Sequence, residues 1–170
     1  DANMYWNFSI LFNRIGDYTR SLKYDNKALS QVSDCYWIYE INCYLSGQGR
    51  YNEANQFLDS ACAVNSCEAF CLASKFCLYT IKKDFDKAEE YYNKSLKANY
   101  PWNHQDDIFL ACLYKETGRR KEAFSILNKL ISDYEERLKR WGGWGIMDTK
   151  WQLTVAYALL GENKRVFQYL

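Results

Sequence analysis

Apolar residues recur three and four positions apart along most of this chain, the spacing that gathers them on one face of an α-helix. The pattern is plainest from Asp107 to Leu130. Leu110, Ala111 and Tyr114 form one stripe, Ala123, Leu127 and Leu130 form a second, and Gly118 stands between them. Glycine takes the positive φ that ends one helix and lets the next begin within a few residues. The stretch therefore predicts a helix, a tight turn and an antiparallel helix. A hairpin of this kind cannot bury both its faces alone.

The unit recurs. Gly16-Asp17-Tyr18 with Ser21 and Ala28, Gly49-Arg50-Tyr51 with Ala54 and Ala61, and Lys83-Asp84-Phe85 with Ala88 and Ser95 share one arrangement, continued by Gly118 with Ala123 and Gly161 with Val166. The turn positions 16, 49, 83, 118 and 161 are spaced by 33, 34, 35 and 43 residues, close to the period of about 34 expected of helix-turn-helix repeats. At these residues the chain resembles the tetratricopeptide repeat family. Repeats four and five carry the first half of its pattern best, as Leu110-Ala111 with Tyr114 and Leu153-Thr154 with Tyr157. The resemblance implies an all-α fold, a right-handed superhelical solenoid of about five helix-turn-helix repeats with the last incomplete. The repeats run over 2–33, 35–66, 68–101, 104–137 and 147–170, as a single domain 1–170.

Within that frame, Tyr5, Phe8, Ser9 and Phe12 are expected on the buried side of the first helix, and Ser21, Leu22 and Ala28 on that of the second. The third repeat fits least well. Its family phase puts Lys75 where Leu belongs and Phe76 where a small residue belongs; a shift of one residue mends both but moves Tyr79 out of its column, and both registers stay open. Lys83 stands at the third turn in place of glycine, so that turn is expected either to differ in shape or to carry strain of about 1 kcal/mol. Tyr100-Pro101-Trp102 ends its second helix. The fourth returning helix is long, about Arg119 to Arg140. Trp141 and Trp144 then follow on a three-glycine loop, either as a lid over a ligand or as plugs between repeats.

Asp1-Ala2-Asn3 lacks an initiator methionine and signal-peptide character, and the fifth repeat stops at Leu170 without a polar cap. The first points to a mature chain, a proteolytic piece or an excised domain; the second to a native polypeptide that continues, or to an end that docks on another chain, self-association through the C-terminal face included.

Composition narrows the functions. With 22 basic and 21 acidic residues the formal charge is +1, so no global field draws the chain to nucleic acid or anionic lipid. No apolar run reaches the length of about eighteen residues that membrane insertion needs. The Gly-rich phosphate loop, His-Glu-x-x-His and Gly-x-Ser-x-Gly are absent, and the single histidine, His104, is expected in a loop. Asp106-Asp107 and Glu135-Glu136 read as solvated or capping charges. No enzyme, cofactor or metal site is expected. The seven cysteines lack a Cys-x-x-Cys pair; they read as small residues at helix contacts, and their odd number, without regular pairing, points to a reducing cytoplasm, with the periplasm still open.

The resemblance also implies that the first helix of each repeat lines a concave groove. Three columns then face it: Asn3, Tyr36, Phe70, Gln105 and Asp148; Trp6, Tyr39, Ala73, Ile108 and Trp151; and Ile10, Cys43, Cys77, Cys112 and Val155. Trp6 and Ile10 occupy positions where relatives that grip a C-terminal carboxylate carry polar residues. The expected activity is that of an adaptor or scaffold holding an apolar or aromatic peptide segment of another protein, with Trp6, Ile10, Tyr36, Tyr39, Cys43, Phe70, Ile108, Cys112 and Trp151 as groove residues. Two alternatives remain: these residues pack on one another and leave no groove, or the segment senses a small molecule beneath the Trp141–Trp144 loop.

Overall fold

The structure, a computed structural model, describes residues 2–30, 35–64, 67–101, 104–140 and 145–169. Among them are ten α-helices and no strand: α1 (Ala2–Arg14), α2 (Tyr18–Leu29), α3 (Tyr36–Gly47), α4 (Tyr51–Val64), α5 (Glu68–Ile81), α6 (Phe85–Lys97), α7 (His104–Glu116), α8 (Arg120–Arg140), α9 (Gly145–Leu160) and α10 (Asn163–Tyr169). The helices pair as the five expected hairpins. His104 opens α7 rather than lying in a loop.

The turns form for local reasons. Gly16 and its counterparts at 49, 118 and 161 all have φ between +75° and +85°, and Lys83 matches them with φ +62°. Of the two outcomes open for Lys83, the turn keeps its shape and a side-chain-bearing residue takes the left-handed conformation. The amide three residues beyond the helix then reaches back to close the last turn, as in Asp17 N to Phe12 O at 2.8 Å and Asp84 N to Tyr79 O at 3.0 Å. Asp17 caps α2 by accepting from the Arg20 amide at 3.0 Å. That amide and the Arg20 side chain hold the Asp17 carboxyl below its ordinary pKa.

The chain divides into two compact units, 1–100 and 101–170. In the first, α1 pairs with α2 and α5 with α6, while α3 packs on both α4 and α5. Its core joins Ile38, Ile41 and Leu45 of α3, Ala54, Leu58 and Ala61 of α4, and Cys71 and Leu78 of α5. Asn42 fastens α3 to α5, its side-chain amide donating to the Ser74 carbonyl at 2.8 Å inside the core. In the second unit α7 pairs with α8, and α9 packs on α8 and α10. Its core joins Ala111, Leu127, Leu130, Ile131, Tyr134, Leu153, Ala156 and Tyr157.

The cysteines depart from expectation. Cys35 is bonded to Cys67, and Cys62 to Cys71, with Cα separations of 5.5 and 6.0 Å. Both bonds fasten the start of α5 to the hairpin before it. The reading of all seven cysteines as unpaired packing residues is therefore corrected: spacing in sequence does not show that the ends of α3, α4 and α5 meet. Only Cys43, Cys77 and Cys112 lie outside the disulfides.

Candidate functional site

The groove columns behave differently in the two units. In the first, Tyr39 is 2% exposed and Ala73 and Cys77 are fully buried. The Cys77 thiol lies 3.6 Å from the Tyr39 hydroxyl, so α3 and α5 meet along this line. Tyr39 thus belongs to the core, not to an open wall. Trp6 and Phe70 are half-buried against the same core, and Phe70 meets the edge of Tyr100 at 5.0 Å. Ile10 and Cys43 remain partly accessible. The side chain of Tyr36, and Trp141 and Trp144 altogether, lie outside the described residues.

In the second unit α7 and α9 lie against each other, and their equivalent positions carry Ile108 with Trp151 and Cys112 with Val155. Ile108 is half-buried on the core, and Cys112 and Val155 are partly accessible. Trp151 is 60% exposed. An indole so placed is costly in water and marks a surface that gains by being covered. Lys115 is engaged: its ammonium donates to the Leu159 carbonyl at 2.7 Å, at the C-terminal end of α9.

With this geometry in place, residues 77–100 match the family model for the tetratricopeptide repeat. The fold is that of tetratricopeptide repeats. Among solved structures, the chain is similar to PilW, described as a widely conserved type IV pilus biogenesis factor. The TM-score is 0.55 at 17% identity, covering 99% of this chain and 74% of that one. At that identity the likeness is one of fold. No curated protein sequence matches the chain. Tetratricopeptide repeats are protein-interaction modules, and no helix among the described residues is long and apolar enough to cross a membrane.

The matched stretch covers the last five residues of α5, the Lys83 turn and α6, in the repeat whose first helix fits least well. The structure keeps the register set by that turn. Phe76 is fully buried at the position held by Ser9, Asn42 and Ala111 in other repeats, and all four are buried. Lys75, in the leucine position, stays half-buried through its ion pair with Asp59 at 2.8 Å and the Tyr91 ring 5.4 Å away.

Two polar clusters escaped the sequence reading. Asp25 of α2 is 1% exposed, and burial pushes its carboxyl up to about 6 against the opposing pull of a Ser9 hydrogen bond and the Arg50 charge. Ser9 and Ser21 share a hydrogen bond of 3.0 Å in the same place. The second cluster centres on Glu135, which is not a solvated charge. It accepts from the hydroxyls of Tyr157 at 2.7 Å and Tyr169 at 3.2 Å, with Arg165 at 3.5 Å. Asp106, likewise expected to be solvated or capping, is buried in the first turn of α7.

Proposed function

We propose that this chain is a non-enzymatic scaffold that holds an apolar or aromatic peptide segment of another protein along α7 and α9, with Trp151 as the principal anchor. The exposure of Trp151 beside Ile108, Cys112 and Val155 carries this reading. In the first unit the equivalent line is closed by Tyr39 against Cys77, and Trp6, Ile10, Cys43 and Phe70 are only partly accessible there. A large aromatic side chain at such a site supplies most of its binding energy by desolvation, and truncating it costs about 2 kcal/mol or more, roughly thirtyfold in affinity. Peptides selected on the protein from a displayed random library should be enriched in aromatic and branched apolar residues, and should bind Trp151→Ala at least about thirtyfold more weakly. Equal binding to wild type and Trp151→Ala would remove this site.

We also place the chain in an oxidising compartment. The expectation of a reducing cytoplasm rested on unpaired cysteines, and two disulfides support the opposite reading.

A further inference from the structure

In the first unit α4 and α5 run antiparallel, with Asn55 opposite Tyr79 and Asp59 opposite Lys75. The polar side chains along this seam change character partway. Toward the end of α4 they are spent on one another: Lys75 pairs with Asp59 at 2.8 Å, and Asn55 donates to the same carboxylate at 3.0 Å. At the other end, the first two turns of α4 and the last turn of α5 border a cavity of about 260 Å³. Leu78, 1% exposed, lies at its base. Tyr51, Asn52, Asn55 and Gln56 form one wall, with Tyr79 and the helix-ending Lys82 opposite. Both aromatic walls are fixed. Tyr51 packs on the core, and Tyr79 stacks on Tyr91 of α6 with ring centroids 5.3 Å apart while its hydroxyl donates to Asn55 at 3.4 Å. The other three side chains are uncommitted. Among the described residues the Asn52 and Gln56 amides make no hydrogen bond, and the Lys82 ammonium makes no ion pair and lies 5.9 Å from the centre of the Tyr79 ring.

We propose that this cavity binds a small organic acid, one carboxylate with a hydroxyl or amide group beside it. Its lining selects that class. One unpaired ammonium calls for one negative charge, and no carboxylate lines the cavity to repel it. A phosphate group, which carries nearly two charges at neutral pH, would find no second cation there. Asn52 and Gln56 are four residues apart, so their amides share one face of α4. Each offers a donor and an acceptor, which matches a neutral group that both gives and receives a hydrogen bond. The volume falls below the roughly 300 Å³ at which pockets for drug-sized ligands begin, which suits an occupant the size of an amino acid or a sugar acid. Walls already held by the core and the ring stack need no ordering when it binds. The site lies in the first unit and shares no residue with the Trp151 surface.

Nitrogen-15 NMR titration of the oxidised chain reads the site directly, because Asn and Gln side-chain amides give resonances of their own. The probes are glucuronate and N-acetylglycine, which set hydroxyls or an amide beside the carboxylate, each compared with its neutral counterpart, glucose and N-acetylglycinamide. At least one acid should shift the Asn52 and Gln56 side-chain amides saturably, with its neutral counterpart bound about tenfold more weakly or worse. The tighter acid shows which neighbouring group the amides read. Lys82→Gln should weaken binding by about tenfold or more, since it removes a charge-assisted hydrogen bond, and so should Asn52→Ala combined with Gln56→Ala. Lys129→Gln, a change on the exposed side of α8, should leave binding as it was. Asn52, Gln56 and Lys82 are exposed, and backbone resonances unchanged away from each substitution would show that the variants fold. Neither acid shifting these amides saturably, even at tens of millimolar, would overturn the proposal. So would equal binding of the acids and their neutral counterparts, or equal losses in Lys82→Gln and Lys129→Gln. Much tighter binding of a longer glycine-ended peptide acid would also overturn it, by making the occupant a protein terminus.

Discussion

Cys35 is bonded to Cys67 across 32 positions of sequence, with Cα atoms 5.5 Å apart, and the bond ties the start of α3 to the start of α5. Cys62–Cys71 ties α4 to the same helix. Closing a loop of this length removes entropy from the unfolded chain, worth roughly 3–4 kcal/mol on the chain-entropy model. Reduction should therefore lower the melting temperature markedly, and Cys35→Ser with Cys67→Ser should reproduce much of that loss. Peptide mapping of the unreduced protein checks the pairing directly. Four free thiols at positions 35, 62, 67 and 71 in protein from an oxidising environment would remove both the bonds and the compartment reading.

Asp25 predicts a pH dependence of defined sign. Its carboxyl is raised from 3.8 to about 6 in the folded protein, with burial as the leading cause. Through that window the folded state holds a proton that the unfolded state has lost, so stability falls as pH rises from about 4 to about 6 and stays low above it. The Ser9 hydrogen bond, followed by the Arg50 charge, offsets part of the cost of the ionised form. Asp25→Asn should remove the penalty, on the order of 2 kcal/mol at neutral pH, and flatten this part of the profile. Melting temperatures of both proteins between pH 4 and pH 8 decide it: parallel curves would mean that Asp25 does not titrate in this range.

The hairpins, the five turns and the buried Ser9, Ser21, Leu110, Ala111 and Leu127 were legible because each follows from helical spacing and local turn chemistry. Phe8 shows the limit. Periodicity places it on an apolar face, as it does Leu153, yet Phe8 is exposed and Leu153 is not. The difference is the neighbour each meets in space, the Tyr24 ring for Phe8 and the core residues of α8 for Leu153, which no local pattern encodes. Tyr39 fails in the opposite sense: its position implied a groove wall, but α5 approaches α3 closely enough to bury it. The disulfides and the Asp25 and Glu135 clusters join residues from different helices, so only the fold reveals them. For the peptide-binding surface, the sequence offered three columns, and the structure leaves Trp151 as their one strongly exposed aromatic among the described residues.

Lys83 holds φ +62° at a turn where four equivalent positions are glycine. A residue with a Cβ gives up about 1 kcal/mol in that conformation, and glycine recovers part of it while adding freedom to the unfolded chain. Lys83→Gly should raise the stability of the first unit by somewhat less than about 1 kcal/mol. Lys83→Val should lower it, since a β-branched residue is least tolerant of positive φ. Denaturant melts of the three proteins provide the order. If Lys83→Val proved as stable as wild type, the left-handed assignment at this turn would fail.

Glu135 anchors the last helix. Tyr157 and Tyr169 stack with ring centroids 5.8 Å apart, both hydroxyls converge on the Glu135 carboxylate, and Arg165 lies beside them. α10 has only seven residues and no fully buried side chain, too short to be stable by helix propensity, so this polar cluster, the ring stack and the packing of Val166 and Tyr169 on the core hold it in place. Burial, reinforced by Glu135, pushes the Tyr157 hydroxyl up to about 12, which keeps it a donor to the carboxylate across the neutral range. Glu135→Ala should cost about 1–2 kcal/mol. Its larger effect should be local, with faster amide exchange in residues 163–169 and little change in α7. Arg165→Ala should do less, because its guanidinium is half-exposed and its ion pair long. Hydrogen exchange read peptide by peptide separates the cases. Uniform loss of protection across the second unit would mean that Glu135 supports the α8–α9 core itself, and unchanged exchange in 163–169 would mean that the ring stack and the packing of Val166 retain α10 without it.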